Sequence, residues 1–308
     1  MKGNMKENFE LLLPRIIDTL EKSDLIKIKE QIENIKGNTF ITRVGGSSVV
    51  AEFLNHILNE KNIAVCKSPR DLKYENIDKF NNIFGVSYSG KGYIVDSMLN
   101  SNKKKYLLTN NSEKYESIEK IEYKSKIEKE PSYISLASTL MPISILLSTK
   151  YNKETKDIII DIFDKIKNEL IEIKNNNVYE IIYGNEVKAA STYLESTMVE
   201  SAIAFPILHE KYSFCHGRTK TSYDNENGLI LFNSNKEYDK IILEEWDKYY
   251  TELVKIDKYS DEVLLNDYYA TLKSIYITKA LAENKNKDLS DIKYSPLVKK
   301  VYFFKGDM

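Results

Sequence analysis

Apolar positions along the chain alternate between helical stripes and short runs. Phe9, Leu12, Ile16, Ile17 and Leu20, then Leu25, Ile28 and Ile32, recur at helical spacing, so residues 5–35 are expected to be helical with a break near Ser23-Asp24. Residues 38–43 read as a buried strand and Ser48 to Glu60 as an amphipathic helix. The strand signal returns at Ile63 to Lys67, Asn82 to Val86, Lys105 to Thr109 and Lys120 to Tyr123. Helices are expected at Tyr93 to Asn100 and, strongly apolar, at Ser135 to Leu147. This alternation predicts an α/β chain whose mainly parallel sheet carries helices on both faces.

A charged amphipathic stretch over 154–174 reads as a connecting helix, after which the pattern restarts. Val178 to Tyr183 is a strand, followed by Gly184-Asn185 and a helix from Lys188 to Phe205. Leu229 to Phe232 is a strand, with Ser234-Asn235-Lys236 as its loop. Helices then follow at Asp239 to Tyr250, bearing the one tryptophan, Trp246, and at Asp267 to Glu283. The second half reads as a diverged copy of the first, which divides the chain into 1–153 and 154–308.

Composition narrows the function classes. A chain of 308 residues, 42% hydrophobic, suffices for a large core in one or two domains. With 45 basic against 46 acidic residues there is no global basic field, and nucleic acid is not expected as a partner. The run Lys103-Lys104-Lys105 reads as a solvated helix end. Apolar stretches are interrupted short of the roughly 20 residues that span a bilayer, so no membrane partner is expected. Leu11-Leu12-Leu13 is too short for the core of a leader and runs into Pro14. Cys66 and Cys215 fit a reducing cytoplasm, and the cysteines and histidines lack metal-site spacing. His56 and His209 sit on apolar helix-like stretches and read as structural. Cys215 and His216 are adjacent, which points their side chains apart and argues against a thiolate pair.

Candidate chemistry lies in two serine-rich turns. Val44-Gly45-Gly46-Ser47-Ser48 follows the first strand, and Ser87-Tyr88-Ser89-Gly90 follows the third. Glycine lets the backbone approach a ligand, a helix N-terminus offers unpaired N–H groups, and serine adds neutral donors. Two such turns at the carboxyl ends of neighbouring strands make an anion seat for one phosphate. The plainer alternative is a pair of tight turns with helix caps. A dinucleotide site would need a third glycine and an acidic end to the second strand. Here Val49 and Val50 stand near the first position and Cys66-Lys67-Ser68 at the second.

These turns resemble those of the sugar isomerase (SIS) domain family, whose phosphosugar-handling members carry Gly-x-Gly-x-Ser and Ser-x-Ser-Gly-x-Thr. The chain has Arg43 in place of the leading glycine and Gly92 in place of the final threonine. The resemblance implies two tandem SIS-type three-layer domains, flavodoxin-like, with Gly45, Gly46, Ser47, Ser87, Tyr88 and Ser89 around the phosphate. Ala137-Ser138-Thr139 resembles a segment lining the sugar pocket, which adds Ser138. Glu200 precedes His216-Gly217 by sixteen residues, a separation shared with fructosamine-6-phosphate deglycases and the isomerase domain of glucosamine-6-phosphate synthase. By that resemblance Glu200 moves a proton between sugar carbons and His216 assists ring opening. The plainer alternatives are an exposed helix glutamate and a loop histidine. The C-terminal run from Ser295 to Lys305 resembles the tails of both enzyme groups, and the two alignments point to different lysines, Lys299 and Lys305. The implied activity is phosphosugar isomerisation or deglycation, without metal or nucleotide cofactor, in a homodimer that shares its active sites. The alternative is a non-catalytic phosphosugar sensor. The resemblance runs from about residue 38 to the end, and the glutaminase domain of the full synthase has no counterpart in it.

Overall fold

The computed structural model describes residues 4–291 apart from 61, 70, 72–74, 112, 114, 126–129, 137, 138, 221 and 223–225, together with 296, 297 and 300. The N-terminal helical region is three helices, α1 (Met5–Glu10), α2 (Leu12–Lys22) and α3 (Leu25–Glu33). The break expected at Ser23-Asp24 is present, with the Asp24 carboxylate accepting from Lys27 N–H to cap α3, and a second break falls at Leu11.

The first sheet follows as β1 (Thr39–Thr42), α4 (Ser47–Asn59), β2 (Ala64–Lys67), β3 (Asn82–Val86), α5 (Tyr93–Leu99), β4 (Lys104–Thr109) and β5 (Glu119–Glu122). All its pairings are parallel, in the order β2-β1-β3-β4-β5. Lys103-Lys104-Lys105 is not a helix end. Lys104 and Lys105 open β4, where Lys105 is buried, while Lys103 pairs with Asp78 and Lys104 with Glu119. Next come α6 (Ser132–Ser135), α7 (Leu140–Tyr151) and α8 (Thr155–Lys167). The single helix expected over 135–147 is therefore divided. Leu136, at φ 46° and ψ 53°, is in the left-handed region and ends α6.

The second half contains β6 (Val178–Tyr183), α9 (Lys188–Glu200), β7 (Phe205–Glu210), α10 (Lys211–Ser213), β8 (Gly228–Asn233), α11 (Glu237–Ile241), β9 (Glu252–Asp257) and α12 (Val263–Asn284). Its sheet is parallel in the order β7-β6-β8-β9, the same winding as β2-β1-β3-β4. Two strands went unread in the sequence. The helix expected to reach Phe205 stops at Glu200, because Ala202 turns left-handed at φ 51°. Phe205-Pro206-Ile207 then forms an edge strand, where proline is tolerated. His209 thus lies on a strand, not a helix. The helix expected over 239–250 is present with changing pitch: α11 runs directly into a π-helical segment, Ile242–Trp246, and a 3-10 turn, Asp247–Tyr249, before β9.

A shared layer of helices fills the space between the sheets. Residues of α4, α7, α9 and α12 form one core with Ile41, Phe84 and Tyr106 of the first sheet and Tyr179, Ile181 and Ile230 of the second. Each strand's alternate residues face outward, where both sheets are covered again. Ile83 and Leu107 meet Ile94 and Met98 of α5, and Leu229 and Leu231 meet Phe214 and Ile242. Burial on both faces is the setting parallel strands require. By length and composition one window within Ser132–Lys167 is apolar enough to cross a membrane, and 88% of it is buried inside the fold.

Candidate functional site

β1 and β3 are neighbours, yet the chain leaves β1 toward β2 and β3 toward β4 on the opposite side. Such a reversal opens a crevice at the carboxyl ends of the two strands, where open α/β sheets take their ligands. The two serine-rich turns flank it. In the first, Gly45 has φ 57°, and a methyl group on Gly46 would lie 2.4 Å from the Leu136 carbonyl oxygen. Only glycine allows that approach. Thr139 Oγ1 donates to the Gly46 carbonyl at 3.3 Å, so Leu136 and Thr139 are both held against this loop. The Ser47 hydroxyl donates to Val44 O at 2.7 Å and accepts from Val44 N at 3.2 Å. It caps its own turn, and must rotate outward to meet a ligand.

In the second turn the carbonyls are tied toward β4. Tyr88 O accepts from Asn110 N at 3.2 Å, Ser89 O from Asn111 Nδ2 at 2.6 Å, and Gly90 O from Tyr115 Oη at 2.6 Å. The N–H groups of Ser89, Lys91 and Gly92 find no acceptor among the described residues. Neither do the hydroxyls of buried Ser87 and exposed Ser89, which are left available to a ligand. Tyr88 is half-buried, with its hydroxyl accepting from Asn110 Nδ2 at 3.3 Å.

Arg43 stands clear of both turns. Its Nε donates to Cys66 Sγ at 3.1 Å and its Nη2 lies 3.3 Å from Glu52 Oε1. Burial raises the Glu52 carboxyl, with Arg43 pulling the other way. Burial also pushes the Cys66 thiol up to about 12, which leaves no thiolate for chemistry.

Glu200 is the last residue of α9. The first turn of α9 is anchored near the far end of α4, because Ala189 N and Ala190 N donate to Asp267 at 3.1 and 2.9 Å and His56 of α4 lies 3.1 Å from the same carboxylate. Its middle is anchored near the start of α4, where Tyr193 Oη donates to Ile134 O at 2.7 Å beside the Leu136–Gly46 contact. The two helices are therefore antiparallel, and α9 carries Glu200 roughly 10 Å past Tyr193, beyond the first turn. Glu200 is exposed. Partial desolvation first, and the nearby Glu195 charge second, hold its carboxyl above the usual range, both screened by solvent.

His216 is exposed in a turn opened by Gly217 at φ 106°, and its ring stacks on Tyr212 at 6.3 Å. It follows β7, whereas Glu200 precedes it. Six strand residues, each rising about 3.3 Å, hold the two side chains about 20 Å apart within one chain. Ser47, Ser87, Ser89 and Glu200 are thus grouped at one end, and His216 is not among them. Ser138, Lys299 and Lys305 lie outside the described residues.

The equivalent crevice of the second sheet is filled by its own charges. The Glu186 carboxylate lies against Gly184, where a methyl group would sit 2.2 Å from its Oε2. Lys211 Nζ lies 2.8 Å from Asp239 Oδ1 and 2.9 Å from Ser234 Oγ. Sequence reasoning missed Glu52, which pairs with Arg43, and Glu130, Tyr193 and Asp267, buried groups that bond Ser135, Ile134 and the first turn of α9. Glu52 left a trace, as one charge inside the apolar run Val49-Val50-Ala51-Glu52-Phe53-Leu54. Glu130 left none.

No protein-family model and no curated protein matches the chain. Solved structures do. The C-terminal domain of glucosamine-fructose-6-phosphate aminotransferase from Francisella tularensis superposes with a TM-score of 0.67 at 13% identity, covering 95% of this chain and 99% of that one. Tagatose-6-phosphate ketose/aldose isomerase from Escherichia coli gives 0.68 at 12% identity over 95% and 96% of the two chains. Glucosamine-6-phosphate deaminase (TM0813) from Thermotoga maritima gives 0.65 at 14% identity over 91% and 96%. The resemblance first seen in the two serine-rich turns is thereby borne out over nearly the whole chain, which has the fold of the sugar isomerase (SIS) proteins.

Proposed function

We propose that the chain binds a sugar phosphate in the first crevice and moves a proton between its C1 and C2, as a phosphosugar isomerase or fructosamine-6-phosphate deglycase. One observation carries this reading: the Ser87 and Ser89 hydroxyls, without a partner among the described residues, face a crevice that Ser47 flanks from the other turn, where its hydroxyl caps Val44 until it rotates outward, and α9 brings Glu200 to the same end. The phosphate would take its donors from Ser47, Ser87 and Ser89 and from the N-terminal N–H groups of α4. The Glu200 carboxylate would remove a proton beside the carbonyl, leaving an enediolate, and return it to the adjacent carbon. A carboxyl held above its usual range is closer to the pKa that such a base needs. Lys299 or Lys305 would stabilise developing charge or form an imine, a role resting on the resemblance alone.

His216 would act from a second copy. Between Glu200 and His216 lies the unpaired edge of β7, with Phe205 73% and Tyr212 77% exposed and Val199 and Ile207 beside them. An apolar strand edge of this kind is commonly covered by another chain. A two-fold pairing there would reverse the partner strand and bring its His216 toward this chain's Glu200. Two tandem SIS-type units, divided near residue 153, and a reducing cytoplasmic setting with both cysteines free complete the reading.

The test is solvent exchange. In D2O, the wild-type protein should incorporate deuterium at the C1 or C2 of an accepted hexose 6-phosphate, and Glu200→Gln should bind that compound but exchange at least a hundredfold more slowly, about the share expected of a general base. Near-normal exchange in the variant would overturn the assignment. Binding of several sugar phosphates with no exchange in the wild type would favour the sensor, which the exposure of Glu200 and the self-capping of Ser47 also suit.

A further inference from the structure

We propose that Glu130 is a positioning residue for the sugar-phosphate crevice, acting as the centre of a buried polar chain that fastens α6 and Leu136 against Gly46. The proposal rests on the site assignment above and adds a role for the N-terminal helices, which that assignment leaves idle.

Five polar residues form the chain, each no more than 5% exposed: Ser290, Asn8, Arg15, Glu130 and Ser135. Asn8 Nδ2 donates to Ser290 Oγ at 3.2 Å, and Arg15 Nη2 donates to Asn8 Oδ1 at 3.2 Å. Arg15 Nη1 stands 4.0 Å from Glu130 Oε2, and the Ser135 hydroxyl donates to Glu130 Oε1. Charged groups are seldom buried without a partner to offset the lost hydration, so this pair is held in one arrangement. Its position gives it consequence. Ser135 is the last residue of α6, and the next residue, Leu136, takes the left-handed conformation that a branched side chain avoids. Strain of this kind persists only where neighbours over-determine it. On the other side of that residue, Leu136 O abuts Gly46 and Thr139 Oγ1 bonds Gly46 O. The contact is thus continuous from α1 and α2, through Glu130 and Ser135, to the loop that carries Ser47. Glu130 also lies near Tyr88 of the second turn and the core tyrosines Tyr123 and Tyr193. Burial first, and its negative charge in addition, keep the phenols of Tyr88, Tyr123 and Tyr193 above their usual range.

A residue that only supports the fold would loosen the whole first half when removed. A positioning residue loosens two segments. Amide hydrogen exchange on Glu130→Ala, Glu130→Gln and the milder Ser135→Ala separates these without any ligand. Loss of one buried hydrogen bond to a charged group should raise exchange about tenfold at Ile134–Leu136 and Gly46–Ser48 in Glu130→Ala and Ser135→Ala. β6 and β8 should stay unchanged; Ser135→Ala, which keeps the Arg15–Glu130 pair, should confine the rise to the two segments, whereas Glu130→Gln, which leaves buried Arg15 without its counter-charge, should exchange at least as fast there as Ser135→Ala. Affinity for fructose 6-phosphate, used as the probe, should fall about tenfold in the same two variants. Unchanged exchange at both segments, or an equal rise across the whole first half, would overturn the proposal. If the exchange pattern holds while the wild type binds no sugar phosphate, the ligand assignment fails and the positioning role stands.

Discussion

Glu200 and His216 bracket the edge strand β7, one before it begins and the other after it ends, so a single chain holds them about 20 Å apart. Any chemistry that uses both must be assembled from two copies.

Mixed oligomers test this. Glu200→Gln and His216→Ala should each be inactive alone. Mixed and re-equilibrated, they should regain a measurable fraction of wild-type exchange, because one site in a heterodimer keeps both groups. No recovery in a verified heterodimer would place the two residues in separate roles.

The raised Glu200 carboxyl fixes the sign of a pH effect. A base works when deprotonated, so activity should rise with pH through a value above the ordinary glutamate range of about 4.3. Glu195→Gln removes the like charge and should shift that limb toward acid in a pH–rate profile of kcat/KM. A limb that stays in place would show that Glu195 does not reach Glu200.

His56 and Asp267 join the two halves, with Asp267 fully buried. Burial alone would lower His56, but its hydrogen bond to Asp267, with Glu52 and Glu186 nearby, raises it. The folded state thus favours the imidazolium. Its stabilisation is in full force below about 6.5, the unfolded value, and is lost as pH rises through the higher folded one. Thermal melts should show the wild type losing more stability than His56→Gln between pH 6 and 9. Asp267→Asn should cost about 3 kcal/mol at pH 6, since it removes the charge that answers His56 and two N–H groups.

Two adjacent glycines should respond differently to alanine. Gly46→Ala forces a methyl group onto the Leu136 carbonyl and should cost about 1–3 kcal/mol together with phosphate binding. Gly45→Ala meets nothing within 4 Å and should cost only the left-handed backbone penalty, about 1 kcal/mol. Denaturant melts in the presence and absence of inorganic phosphate measure both.

The sequence carried the first sheet well because β2, β3 and β4 run directly into Ser68, Ser87 and Asn110, and β1 reaches Gly45-Gly46 within three residues, so most of its turns have local chemistry. β7 escaped because the apolar stripe of α9 continues through Ala202-Ile203-Ala204 into Phe205, with alanine where a helix stop usually shows glycine. The core of the site was legible only where it is local. Ser47 and Ser87 sit within motifs, whereas Glu130 and Asp267 gain their meaning from Arg15 and His56, more than a hundred residues away in the chain. The separation of Glu200 from His216 follows from the unread strand, and it is the arrangement that the shared site implied by the resemblance would require.

A crystal soaked with fructose 6-phosphate tests the central claim most directly. The account predicts phosphate oxygens within about 3 Å of the Ser47, Ser87 and Ser89 hydroxyls, at ordinary hydrogen-bond length, with the sugar carbons extending toward Glu200. Phosphate bound elsewhere on the chain, or a sugar directed away from the end of α9, would contradict it.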